Sequence, residues 1–432
     1  MSFRDQKPLE LNSSFQQALD LLEKSDKSVF ITGRAGTGKS TLLRMFRSTT
    51  RKKLVVLAPT GVAALNVRGQ TIHSFFNFPG RPLNPADIKK VRFRRVYQNL
   101  EALIIDEISM VRADLLDNID RFLRVNRESP KPFGGVQMIF SGDLFQLPPV
   151  VASEAERMLF SGFYESPYFF SSKVFEDGFE LEKFELHKVY RQESRHFLRL
   201  LDTIRTNTAD YDDLEDLNER YDPAFEPLDF FITLSPRNAK VDAINQKKLA
   251  ELASPEFTFQ AKITGQFDPR LFPVEAVLRL KTGAQVMFVK NDPERQFVNG
   301  TIGKVAFLQK DKIIVETEEN GLRSEVEVQP MDWEILKHVP AKSDESAIET
   351  EVLGVFTQFP LRLAWAITIH KSQGKTFDRV VIDMDRGAFE HGQTYVALSR
   401  CRSLEGIVLK QKIQLSDILT DEKVVEFHER NF

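Results

Sequence analysis

The stretch Ser28-Val-Phe-Ile-Thr-Gly33-Arg-Ala35-Gly36-Thr37-Gly38-Lys39-Ser40-Thr41 decides the fold. Its first half is an apolar β-forming run. Its second half is a glycine-rich loop, and Leu42, Leu43, Met45 and Phe46 follow at helical spacing. Gly33, Gly38, Lys39 and Ser40 hold the fixed places of G-x-x-x-x-G-K-[ST]. The glycines free backbone N–H groups to turn inward around a phosphate chain. The helix that starts near Lys39 aims its positive end at the same phosphates. The Lys39 ammonium suits the β- and γ-phosphates and the Ser40 hydroxyl suits Mg²⁺, with Ala35, Gly36, Thr37 and Thr41 completing the cradle. The loop speaks for nucleotide binding; what the energy drives must be read elsewhere.

Three more apolar runs surround it. Leu54-Val-Val-Leu-Ala runs into Pro59-Thr60-Gly61, residues 102–109 carry Asp106-Glu107, and residues 136–143 end in Gly142-Asp143, with Leu-Phe-Gln146 following. Runs without alternation suit parallel strands buried on both faces. Active sites of open α/β sheets lie at the carboxyl ends of the strands, so these loops are expected to converge on one nucleotide. Asp106 is placed to hold Mg²⁺ and Glu107 to activate the attacking water. An Asp-Glu pair is also a common solvated strand end, and its own apolar strand favours the metal reading. Gln146 is suited to orienting water or sensing a γ-phosphate.

The chain has 432 residues, 42% hydrophobic and 28% charged, with a net charge of −3. That length suggests about two to four domains of globular character. No global basic field advertises nucleic acid, so binding it would need a local groove. A single cysteine, Cys401, excludes an internal disulfide and a cysteine zinc cluster. The N-terminus has no signal-like apolar core, and no run approaches the ~18 apolar residues of a membrane span. The expected location is the cytosol of a bacterium or of a virus's host, or the nucleus in a eukaryote.

Residues 11–24 read as a helix with Phe15, Ala18, Leu19 and Leu22 on one face and Asn12 or Ser13 as its cap. An insertion at about 66–100 carries Thr71-Ile-His73-Ser74-Phe75 and the basic run Lys89-Lys-Val-Arg-Phe-Arg-Arg95. Cations interleaved with aromatics suit single-stranded nucleic acid; a solvated basic face is the competing reading. Residues 154–226 read as mostly helical, with an acidic, solvated end. Within them Arg191 is placed either to reach a γ-phosphate or simply to lie at the surface. A second α/β half follows, with strands at 230–235, 362–368, 379–383 and 406–409 and no phosphate loop. It carries Thr368-Ile-His370-Lys371-Ser372-Gln-Gly374 and a helix-borne Arg400, suited to an arginine finger in cis. Residues 280–355 alternate in short runs and suggest a small inserted barrel, with Asn299-Gly300-Thr301 as a tight turn.

These motifs resemble the petite-integration-frequency (PIF) family of DNA helicases, superfamily one subgroup B, close to its minimal bacterial and viral members. The resemblance rests on GRAGTGKST (33–41), APTGVAALNVRGQTIHSFF (58–76), IIDEISM (104–110), PFGGVQMIFSGDLFQLPPV (132–150), VYRQ (189–192), LKTGAQVMFVKND (280–292), FVNGTIGKV (297–305), AWAITIHKSQGKTFD (364–378) and YVALSRCRS (395–403), in the family's order. It implies an α/β fold of two RecA-like parallel-sheet lobes: a first over residues 1–180 with a wedge insertion, and a second over 181–432 with an SH3-like β-barrel insertion at 290–358. It implies ATP and Mg²⁺ as cofactors and ATP-driven, 5′-to-3′ translocation on single-stranded DNA with unwinding of duplexes. G-quadruplexes and RNA–DNA hybrids are further implied substrates, and the expected state is a monomer that DNA can pair into a dimer.

Carried over by position, Lys39 and Ser40 bind phosphate and Mg²⁺, Asp106 holds Mg²⁺, Glu107 is the base and Gln146 couples γ-phosphate to the DNA groove. Arg191 and Arg400 are the second lobe's phosphate sensors, and Gly374 lies beside the γ-phosphate. Thr60, Gly61, His73, Ser74, Phe75, Asn299, Gly300, Thr368, His370, Lys371 and Ser372 line the DNA path. One departure concerns adenine: Phe15 stands where the family places a glutamine, leaving either Gln16 or Gln17 for that role or a relaxed selectivity for the nucleotide base. Two other readings stay open: a RecD-like motor subunit of a nuclease complex, and an ATP-gated nucleic-acid binder that never unwinds.

Overall fold

The computed structural model describes residues 13–79, 83–151, 154–192, 194–319, 321–341 and 348–432. Among them the chain forms two compact units. The first comprises Glu10–Tyr190, Glu334–Gly354 and Glu422–Phe432; the second comprises Arg191–Trp333 and Val355–Asp421.

The first unit is built on β1 (Ser28–Gly33), β2 (Leu54–Ala58), β3 (Gln70–Thr71), β4 (Ala102–Ile105), β5 (Gln137–Ser141) and β6 (Leu181–Leu186). They form one parallel sheet in the order β3-β2-β4-β5-β1-β6. The four apolar runs are its centre, and β1 and β5 are buried along their whole length. Helix Ser13–Lys24 buries Phe15, Ala18 and Leu22, and helix Lys39–Thr49 buries Leu42, Leu43 and Phe46; both pack on Val29, Ile31, Ile104 and Ile139. Asn12, the alternative cap, lies outside the described residues.

Two boundaries differ from the sequence reading. The first unit runs past residue 180, because Leu181–Leu186 pairs in parallel with β1, Ser28 opposite Leu181. The sequence reading placed these residues in a mostly helical region because the polar pair Glu182-Lys183 interrupts the apolar pattern. Helix Glu422–Asn431 also belongs to the first unit: Phe427 stacks on Phe170 at 4.4 Å and Phe432 meets Phe30 at 6.3 Å.

In the second unit β7 (Ile232–Ser235) is followed by a long excursion. It comprises β8 (Glu256–Gln260), β9 (Lys262–Gly265), β10 (Val277–Lys281), β11 (Gln285–Phe288), β12 (Ile302–Gln309), β13 (Lys312–Glu319), β14 (Leu322–Val328), β15 (Met331–Pro340), β16 (Ile348–Gln358) and β17 (Leu361–Leu363), of which the parts of β15 and β16 within Glu334–Gly354 belong to the first unit. The chain then returns as β18 (Ala366–Thr368), β19 (Val380–Ile382) and β20 (Ile407–Leu409), giving a parallel sheet of order β18-β7-β19-β20. The strand expected over 362–368 is therefore two. Leu361–Leu363 pairs antiparallel with β11, and Ala366–Thr368 pairs in parallel with β7.

The excursion holds a five-stranded antiparallel sheet, β14-β13-β12-β11-β17, over a core that includes Leu278, Leu280, Val286, Phe288, Val305, Ile313, Val315 and Leu361. It begins at Glu256, well before the expected residue 290. β8 and β10 pair with each other and their residues Phe259, Leu278 and Leu280 enter that core. β15 and β16 were only half legible: β15 has no regular alternation of buried and exposed residues.

The stretch Pro132–Gly135 is structural. Phe133, Gly134 and Gly135 all take positive φ (48°, 62° and 81°), and Phe133 is fully buried with its N–H donating to Asp120 Oδ1 at 2.5 Å. This seats helix Ala113–Arg127 against the entry to β5. A Cβ on Gly134 would lie 2.8 Å from the Leu123 carbonyl oxygen. Gly134→Ala combines left-handed strain with a backbone clash and should cost about 2 kcal/mol or more. Urea unfolding should show a lower midpoint at unchanged slope.

Candidate active site and nucleic-acid path

The phosphate loop leaves β1 between β5 and β6. Gly33 has φ +144°, and a Cβ there would sit 2.4 Å from the Leu186 carbonyl oxygen at the end of β6. Gly36 and Gly38 are left-handed (84° and 89°), and Gly38 accepts from Thr41 and Leu42 as the helix begins. Thr37 is fully buried and donates to the Arg34 carbonyl at 2.9 Å, which locks the loop's curl. Tyr190 N–H donates to the Gly36 carbonyl at 3.0 Å. Lys39 folds back over the loop, its Nζ donating to the carbonyls of Gly33 (2.7 Å) and Arg34 (3.1 Å). Ser40 is exposed at the helix start.

Phe15 explains the missing glutamine. It is buried under the loop, its ring edge 2.9 Å from where a Gly38 Cβ would stand and packed edge-on to Tyr190 at 6.2 Å. Gln16 and Gln17 lie on the exposed side of that helix, and Gln16 donates to Asp20 at 3.1 Å.

Asp106 follows β4 directly. It is buried, its N–H donates to the Leu57 carbonyl, and it makes no ion pair among the described residues. Burial pushes its carboxyl above the usual range, opposed by the nearby Ser141 hydroxyl, the Glu107 N–H and the charge of Lys39. Ser141 sits across the sheet, short of good hydrogen-bond geometry, so its buried Oγ and that of Ser109 lack partners. A buried carboxylate with no ion pair among the described residues has the chemistry to take a divalent cation, which Ser40 and Asp106 would hold. Glu107 is left-handed (φ 54°), which swings its side chain away from the strand direction. Gln146 is buried, with Nε2 donating to Asp143 Oδ2 at 3.2 Å and its N–H donating to the Asp143 carbonyl at 3.0 Å.

The second unit gathers cations. Arg191 donates to the Ser399 carbonyl at 3.0 Å, and Gln192 donates to the carbonyls of Ser399 and Cys401 at 3.1 and 2.9 Å. Arg400 is 1% exposed and donates to the Val396 carbonyl (2.9 Å), Ser399 Oγ (2.8 Å) and the Lys375 carbonyl (3.4 Å). It lies just beyond helix Gln393–Leu398 instead of on it. Burial and the neighbouring Arg400 bring Arg191 down to about 9. Arg191 has no carboxylate partner among the described residues, an arrangement suited to receiving an anion. Gly374 is left-handed (φ 76°) with open space around its Cα.

The expected path residues divide. Thr60, Thr71 and Thr368 each cap a short helix, accepting from Ala63, Ser74 and Lys371 N–H at 3.2 Å. Gly61 starts the first of these helices; Ser74 and Lys371 are exposed on the others. His73 is half-buried and held below the usual histidine range by burial and by Arg112. His370 Nε2 lies 3.1 Å from Glu390 Oε2. Phe75 and Ser372 do not fit a base or phosphate contact. Phe75 is buried against Phe76 (4.9 Å) and Tyr97 (5.2 Å), and the fully buried Ser372 hydroxyl donates to the Ile369 carbonyl. In the basic run, Lys90 and Arg94 pair with Glu128, while Phe93 stands 75% exposed under the Arg92 guanidinium. Asn299 and Gly300 form the expected turn, with Gly300 at φ +103°.

The sequence held a signal that went unread. Thr71-Ile72-His73 and Thr368-Ile369-His370 are the same local design, a strand end, a Thr cap, a buried Ile and a partly buried His, once in each unit. Gln192 and Lys375 were also missed.

Residues 10–213 match the profile of the PIF1-like helicases, and residues 270–308 match that of the 2B domain of DNA helicase Pif1. ATP-dependent DNA helicase Pif1 of Bdellovibrio bacteriovorus is 34% identical over 98% of this chain and 92% of its own. The chain belongs to the PIF1-like helicase family. The Homo sapiens helicase PIF1 is 35% identical over 88% of this chain, which spans 58% of that protein's length. Among solved structures, Bacteroides sp Pif1 in complex with ADP-AlF4 has a TM-score of 0.90 at 37% identity, covering 98% of this chain and 97% of that one. Bacteroides Pif1 bound to ssDNA has a TM-score of 0.70 at 38% identity, with the same coverage. Membership accounts for the order of the motifs and for both parallel sheets.

Asp106 makes a test of site against stability. A carboxyl whose folded pKa is raised binds more protons folded than unfolded, so it destabilises increasingly as pH rises through that range. Asp106→Asn should therefore raise the melting temperature of the nucleotide-free chain at neutral pH, by less as pH falls, while abolishing ATP hydrolysis.

Proposed function

We propose that the chain is an ATP-dependent DNA helicase that moves 5′-to-3′ on single-stranded DNA and separates duplexes at single-strand/duplex junctions. One observation carries the reading. One unit holds a phosphate loop beside the carboxylate Asp106, and the other holds the arginines 191 and 400; among the described residues neither Asp106 nor Arg191 makes an ion pair. Each arrangement is stabilised by what a Mg²⁺–triphosphate brings, and family membership ties both to a helicase.

In this reading Lys39 turns from the loop carbonyls to the β- and γ-phosphates. Ser40 and Asp106 would hold Mg²⁺, which would supply positive charge against the phosphates. Glu107 takes the proton of the attacking water, Gln146 reports the γ-phosphate to the first unit's path residues, and Arg191 and Arg400 answer the γ-phosphate charge. The Thr-capped helices carrying His73 and His370 hold the DNA backbone, and Phe93 with Arg92 offers a stacking tip at the wedge. Action on G-quadruplexes and RNA–DNA hybrids, DNA-induced pairing of two copies, and a cytosolic location belong to the same proposal. A solved Pif1 structure 38% identical to this chain is described as showing DNA unwinding at forked dsDNA by two coordinating Pif1 helicases.

The test is ATP-dependent strand separation on two duplexes, one with a 5′ single-stranded tail and one with a 3′ tail. The 5′-tailed duplex alone should be opened, and Lys39→Ala should lose at least a hundredfold in rate. Opening only from the 3′ tail would reject the polarity; single-strand-stimulated ATPase without opening of either would favour an ATP-gated binder.

A further inference from the structure

Lys375 is 9% exposed, yet it has no carboxylate partner among the described residues. Its near charged neighbours are cations, Arg362 and Arg400, and burial beside them brings its ammonium down to about 8. Such a lysine is costly to keep, so its bonds are informative. The Nζ donates to Asn299 Oδ1 at 3.0 Å. The Lys375 carbonyl accepts from Arg400 Nη1 at 3.4 Å, and its own N–H donates to the Ser372 carbonyl at 3.0 Å.

Both ends of this connection are fixed. On one side, Phe377 N–H donates to the Arg400 carbonyl and Arg402 N–H to the Phe377 carbonyl, at 2.9 and 3.1 Å, so the segment after Gly374 is laced to the segment carrying Arg400. On the other, the Asn299-Gly300 turn is anchored to the antiparallel insertion. Asn299 N–H donates to Asn291 Oδ1 (2.7 Å), Gly300 N–H donates to the Phe288 carbonyl (2.8 Å), and Phe288 stacks on Phe297 at 3.9 Å. A Cβ on Gly300 would stand 3.5 Å from the Lys375 Cβ, so the lysine stem lies flat against the turn.

We propose that Lys375 is a positioning residue that ties the γ-phosphate-sensing segment of the second unit to the Asn299-Gly300 turn of its insertion, so that nucleotide at Arg400 and single-stranded DNA at that turn each bias the other. The inference rests on the helicase reading above, together with the family resemblance, which implies that the turn lines the DNA path. The physical warrant is a chain of contacts between fixed elements: Arg400 guanidinium, Lys375 backbone, Lys375 ammonium, Asn299 amide, insertion. Coupling through such a chain is reciprocal in binding free energy.

The experiment measures kcat and KM for ATP with and without saturating oligo-dT, for the wild type, Lys375→Met, Asn299→Ala and the double variant. Melting temperatures are recorded alongside. The ratio of DNA-stimulated to DNA-free kcat should fall about tenfold in Lys375→Met, in the ordinary range of coupling between sites. Asn299→Ala should lower the ratio similarly, and the double variant should fall no further than either single change. Lys375→Gln, which keeps a donor in the buried site, covers the case in which Lys375→Met does not fold, and should recover part of the ratio. A lysine that only supports the fold would lower both rates and the melting temperature together and leave the ratio intact; that result, or additive effects in the double variant, would overturn the inference. A wild-type ATPase indifferent to single strands would overturn the helicase reading and this inference together.

Discussion

The approach of Gly33 to the Leu186 carbonyl is the constraint on which the first unit depends. No side chain fits there, and only glycine takes φ +144° with ease, so the loop can bend where β1, β5 and β6 lie in register. From that bend follow the buried Thr37, the left-handed Gly36 and Gly38, and the start of the helix at Lys39. Phe15 and Tyr190 close on the loop from neighbouring elements, so the phosphate site is the point where four parts of the chain meet.

Both units leave charge poorly compensated where function needs it. Asp106 is buried without an ion pair among the described residues, and Arg191 and Lys375 are held down by burial and by other cations. Replacing such groups with neutral ones would relieve the fold, which is why they mark a site in place of a scaffold. The acidic helix Tyr211–Asn218 shows the opposite arrangement: its buried Asp213 caps nothing catalytic and pairs with Arg199.

Much of this was legible in the sequence. Four apolar runs ending in polar loops gave the parallel sheet of the first unit, because strands buried on both faces carry no alternation to confuse the reading. β6 escaped for the converse reason: at the sheet edge its exposed Glu182 and Lys183 interrupt the apolar run. The break at Ala364-Trp365 was invisible because the residues on both sides are apolar, yet one set pairs with β11 and the other with β7. Residue type also misled at Phe75 and Ser372, an aromatic and a hydroxyl suited to DNA that the fold uses internally. Lys375 escaped because its importance lies in a partner 76 residues away, a pairing no local motif announces.

The duplicated Thr-Ile-His design has a consequence for what kind of reader this molecule is. Each copy presents a capped helix start with its isoleucine turned into the core, and the aromatic beside the first copy, Phe75, is sealed among other rings. In the proposed helicase reading, two helix starts of the same design, with the phenylalanine beside the first sealed away, would grip a strand by its sugar–phosphate backbone, and that footing would not depend on the bases the strand carries.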